Sequence, residues 1–115
     1  DVSLIVSEIS CSQATQEISF TVTNRGLFTA DAAYLRFGIP GEVAKTLLNE
    51  DDLILSTPET PRGLPPQASR AFSFFTEKIT QQNQEYELEV QPAVFDGNDL
   101  ALCTNSIISQ VVECE

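Results

Sequence analysis

Histidine and tryptophan are absent from this 115-residue chain, and lysine occurs only as Lys45 and Lys78. Without histidine there is no serine triad, no imidazole general base and no His-based zinc site. The three cysteines, Cys11, Cys103 and Cys114, show no CxxC spacing, which removes thiol-redox motifs and cysteine zinc sites. GxGxxG, GxxxxGKS and GxSxG are missing as well, and with them the common nucleotide and hydrolase signatures. No window approaches the ~20 consecutive apolar residues that a membrane-spanning helix needs. The chain opens at Asp1 with no basic or signal-like apolar stretch, as expected of a mature chain or an excised piece of one.

What is present in excess is negative charge. Acidic residues outnumber basic ones 17 to 6, a formal charge of −11. Such a field repels phosphate backbones and anionic membrane surfaces, so neither nucleic acid nor membrane insertion is expected. Its plainest role is solubility. Attraction of divalent cations or of a basic partner is the other reading.

The apolar residues, 42% of the chain, are ordinary in amount for a globular domain and strand-like in order. Ile18, Phe20 and Val22 alternate with Ser19, Thr21 and Thr23, the period of two that puts one strand face in a core and the other in water. Asn24-Arg25-Gly26 ends that run, Asn24 by bonding its own backbone and Gly26 by supplying a positive φ. Alternation resumes at Ala33, Leu35, Phe37 and Ile39 and stops at Pro40-Gly41. Eight segments read as strands, approximately 2–11, 17–24, 32–39, 43–48, 52–56, 69–78, 85–95 and 106–114, at the intervals of a sandwich. GEVAKTLLN has room for one turn of helix at most. Residues 56–69, with four prolines and one glycine, read as a long surface connection between sheets.

Phe72, Phe74 and Phe75 make the next strand apolar on both faces, which predicts a central position. Tyr86, Leu88, Val90, Pro92 and Val94 alternate with Glu87, Glu89 and Gln91. Tyr86 opens this strand where a sandwich places its tyrosine corner, the hydroxyl bonded to backbone just upstream. Pro92 suggests an edge or a bulge. The chain therefore reads as a single all-β domain over 1–115, an antiparallel β-sandwich of seven or eight strands. Carboxylate pairs are the one catalytic chemistry left. A filled sandwich of this size leaves little room for their cleft, so no enzymatic activity is expected.

Disulfide geometry limits the cysteines, because the Cα atoms must lie within about 7 Å. If 104–113 is extended, Cys103 and Cys114 are about 30 Å apart. First and last strands running side by side in parallel would instead bring Cys11 to Cys114. That bridge is worth about 4–5 kcal/mol on chain-entropy grounds and implies an oxidising compartment. Cys103 is left as a buried thiol or as a partner for another segment.

For ligand chemistry the candidate is Asp96-Gly97-Asn98-Asp99. Asp96, Asn98 and Asp99 carry oxygen donors of the kind that hold calcium weakly in extracellular modules, and the same letters spell a hairpin turn. Glu50-Asp51-Asp52 is a second acidic cluster and reads as a solvated loop. Glu85, Glu87 and Glu89 form a row on one strand face that a basic partner or Arg36 can neutralise.

Taken together, DVSLIV at the start, Val22-Thr23-Asn24-Arg25-Gly26, Ala30, Leu64-Pro65-Pro66 before Ser69, the Tyr86 strand running into Asp96, and a last strand after Asn105 resemble the CARDB group of cell-adhesion-related domains. Pro-Pro-Gln stands where that group has Pro-Gly, and Cys103-Thr104-Asn105 where it has Glu and an Asn-Asn run. The resemblance implies a seven-stranded immunoglobulin-like module, spacing or adhesive, in an extracellular or cell-surface protein. A protein or glycan would be its partner, with no cofactor other than possible calcium. A calcium-dependent carbohydrate- or protein-binding domain is the alternative, and strand addition at an open sheet edge a third possibility.

Overall fold

A computed structural model of the chain describes residues 2–43, 45–49, 55, 63–103 and 106–115. Eight strands follow in order, β1 (Leu4–Ser12), β2 (Glu17–Asn24), β3 (Ala32–Gly38), β4 (Thr46–Leu47), β5 (Ser69–Phe75), β6 (Glu85–Asp96), β7 (Asp99–Leu102) and β8 (Ile108–Glu113). Strands β1-β2-β5 form one sheet. The second runs β4-β3-β6, and the far edge of β6 is shared by β7 and β8. Every pairing is antiparallel. The three-stranded and four-position sheets face each other as an immunoglobulin-like sandwich, β2→β3, β4→β5 and β5→β6 being the crossings between them.

Alternation decides which faces meet. Ile18, Phe20 and Val22 of β2 oppose Ala33, Leu35 and Phe37 of β3 and Tyr86, Leu88 and Val90 of β6, all buried in one core. Within it Phe20 stacks on Phe72 at 5.5 Å and Phe37 on Tyr86 at 5.3 Å between ring centroids. The opposite face of β2 is hydroxylated. Ser19 bonds Ser73 and Thr23 bonds Ser69 across the β2–β5 pair, a side-chain ladder on the wet side.

The corner at Asn24 is the most constrained point. Its side chain is fully buried and uses every polar atom. Oδ1 accepts from the Gly26 N–H at 2.9 Å, and Nδ2 donates to the carbonyls of Phe28 and Leu64, each at 2.8 Å. The Asn24 backbone binds Ala68 and Gln67. One residue thus ends β2, shapes the crossing to β3 and ties down the segment before β5. Gly26 does not take a positive φ here. The left-handed conformation falls instead on Gly63, φ 87°, where an added Cβ would lie 2.7 Å from the Ala30 carbonyl oxygen. The backbones of Ala30 and Leu64 bond reciprocally beside it, so glycine is needed on the returning segment and not in the turn.

Other differences have local causes. β5 lies outside β2, and among the described residues β2 is its only partner, so Phe72 is buried while Phe75 is 65% exposed. β6 is paired on both sides, and Pro92 sits where its far-side partner changes from β8 to β7. The Pro92 carbonyl accepts from the Cys103 N–H, so its missing N–H points to the gap between those strands, where no ladder bond is lost. The segment 43–48 contributes only Thr46–Leu47 as strand. Beyond it, Leu48 N–H reaches Leu35 O, and the buried Asn49 amide spans Leu35 N–H and Ala33 O. A side chain there replaces a strand. Ile39 is half exposed because β3 ends at Gly38. β7 arises from DLAL, a segment outside the eight predicted strands. The predicted strand at 52–56, Leu55 apart, lies outside the described residues, as does the first half of the proline-rich connection, 56–62.

Replacing Asn24 by Ala takes the partner from the Phe28 carbonyl and the Gly26 N–H and one of two donors from the Leu64 carbonyl, and should cost about 2–4 kcal/mol. Urea unfolding measures this. An unchanged midpoint would mean that the corner is held by something else.

Candidate functional site

β1 and β8 are edge strands of different sheets and run alongside each other in the same direction. Cys11 and Cys114 end this seam in a disulfide with Cα atoms 4.5 Å apart. Both residues are buried. Glu115 N–H donates to Cys11 O, and Gln13 N–H donates to Glu115 O, the bond pattern of a parallel ladder around Ser12. Cys114 is held from its other flank through bonds with Asn83 and Gln84. Toward the start of β1 the strands part, and Leu4–Val6 face Ile108–Gln110 across an open groove of about 270 Å³. Cys103 is a free, buried thiol.

The tyrosine corner forms as expected. Tyr86 is 1% exposed, and its hydroxyl accepts from the Thr80 N–H at 3.1 Å, anchoring the loop that carries Asn83 toward Cys114. Asp31 does comparable work at the other end, where its Oδ2 accepts from the Phe95 N–H at 2.8 Å.

Asp96 and Asp99 face each other as the last pair of the β6–β7 hairpin, with Gly97 at φ 68° supplying the positive φ at the first central position of a two-residue turn. All four turn residues are exposed. Asp96, Asn98 and Asp99 are brought together, but among the described residues no group of three or more His, Cys, Asp or Glu side chains is placed to hold a metal ion. Glu50-Asp51-Asp52 lies outside the described residues. Leu27 and Phe28, 87% and 61% exposed, sit in the β2–β3 crossing at this same end of the sandwich.

The glutamate row is largely compensated. Glu89 meets Arg36 at 3.6 Å and Glu87 meets Lys45 at 3.0 Å. Arg36 also bonds Gln91 and lies over the Tyr34 ring. Only Glu85 faces a like charge, opposite Glu113 on β8. Lys45 was not singled out in the sequence, yet its side chain is 6% exposed, which makes Glu87 its necessary counter-charge. On the lateral side away from the disulfide, Leu47, Leu48, Phe75 and Lys78 line an open groove of about 490 Å³ between β4 and the end of β5.

No family model matches the chain, nor does any curated protein or solved structure.

Two outcomes follow from this geometry. Glu87→Gln leaves the Lys45 ammonium buried without its counter-charge and should destabilise by about 1–3 kcal/mol in denaturant titration, whereas Glu85→Gln should be neutral or slightly stabilising. Millimolar calcium should leave the thermal midpoint where chelator leaves it. A rise would place an ion at Asp96, Asn98 and Asp99, because a ligand of the native state raises apparent stability.

Proposed function

We propose that this chain is a non-catalytic structural and adhesion module of an extracellular or cell-surface protein, similar in kind to the CARDB domains. The observation that carries the reading is the clasped seam. A buried bridge at sequence separation 103 belongs in an oxidising compartment. It also leaves Val2 and Glu115 at opposite ends of the sandwich, as a module strung between others requires. Four polar side chains serve here as structural bonds. Asn24, Asn49, Asp31 and the Tyr86 hydroxyl are each bound to backbone. Among the described residues no helix is long and apolar enough to cross a membrane.

Contact with a protein or glycan partner is assigned to the end that exposes Leu27, Phe28 and the 96–99 turn, the module itself acting as a monomer. Calcium-dependent recognition through Asp96, Asn98 and Asp99 is the alternative, supported by the exposure of those side chains.

The test is thiol labelling of the naturally produced protein, denatured without reductant and read by mass spectrometry, with the cell fractions kept apart. The expected result is labelling of Cys103 alone, in protein recovered outside the cytosol. Three labelled cysteines in cytosolic protein would contradict the reading.

A further inference from the structure

We infer that the Cys11–Cys114 bridge makes the domain a nearly inextensible tension-bearing link, with one strand carrying the load. The inference rests on the reading of the chain as a module joined to other segments at both ends.

The argument is one of covalent path. Tension applied at the two ends enters at Val2, follows β1 to Cys11, crosses the bridge and leaves through Cys114 and Glu115. Everything between Cys11 and Cys114 lies on a closed loop outside that path. Of the core only Val2, Leu4, Cys11 and Cys114 lie on the path, and the Asn24 corner and the groove beside Phe75 lie off it. The path is also straight. Leu4 pairs with Asn24 at one end of β2 and Ser12 with Glu17 at the other, so β1 spans the sheet, and Glu115 lies beside Ser12 at the far end.

Its slack is small. As a strand, Val2 to Cys11 is about 30 Å long, and pulled straight it reaches about 32 Å. The one reserve is the bulge between Ser7 and Ser10, where Glu8 adopts φ 53°. Flattening a bulge yields about one residue, ~3 Å. Force therefore meets a strand already drawn out, and a covalent bond where an unbridged sandwich would offer only hydrogen bonds.

The experiment is single-molecule stretching of the oxidised domain held by its ends between marker domains of known unfolding length. The double variant Cys11→Ser/Cys114→Ser serves as comparison. The oxidised domain should release less than about 10 Å before the markers have all unfolded. The folded variant should add one step of about 370 Å. If the variant does not fold, the oxidised trace decides alone, because a release of 50 Å or more, on the order of fifteen residues, places the load path elsewhere. A folded variant that shows no step at the same forces would equally overturn the inference, since the bridge would then not be what resists. Failure of the module reading is distinguishable: cytosolic protein with three free thiols would remove that reading and leave the trace of the oxidised domain unchanged.

Discussion

The disulfide between Cys11 and Cys114 is the constraint on which the rest of this molecule depends. The described strands form two sheets that share no strand, so apolar contact, the hydrogen bonds of Glu115 to Cys11 and Gln13, and this one covalent bond oppose their separation. The bond closes a ring around nearly the whole chain, which restricts the unfolded ensemble by about 2 kcal/mol more than a fifteen-residue loop would. Its position also fixes direction. Because β1 and β8 run in parallel to it, Val2 and Glu115 lie at opposite ends of the sandwich, the arrangement on which the proposed spacer role rests.

Inside this frame the polar residues replace backbone where backbone cannot reach. A sandwich must turn its chain from one sheet to the other, and each turn interrupts a ladder and orphans donors and acceptors. Asn24 satisfies the β2–β3 crossing with its whole amide. Asn49 extends the edge of β3 past a two-residue strand. Tyr86 pins the β5–β6 crossing. Each is nearly fully buried, which explains why a molecule with 17 acidic residues keeps its charges outside the core and its amides inside.

Strand existence was legible wherever period-two alternation was clean, as in Ile18–Val22 and Tyr86–Val90, and the bridge was legible because extended geometry excluded Cys103–Cys114 and parallel first and last strands favoured Cys11–Cys114. Edge and centre were not. Three phenylalanines predicted a central β5, yet a strand can be apolar on both faces and still stand at an edge, as exposed Phe75 does. Composition reports burial tendency and says nothing of neighbours. Gly26 was chosen for its place in the turn, whereas Gly63 is demanded by close approach to Ala30, a long-range contact with no local signature. Lys45 and Asn49 escaped for the same reason, since their roles exist only once β3, β4 and β6 are side by side.

The central claim is that the clasp, more than any ligand or cofactor, holds this sandwich as one unit. Denaturant unfolding of the oxidised protein against Cys11→Ser/Cys114→Ser tests it most directly. The account predicts a loss of about 4 kcal/mol on removing the bridge, as expected for closing a ring of roughly a hundred residues. A loss below about 1 kcal/mol would contradict it, and would mean that the facing apolar surfaces alone hold the two sheets together.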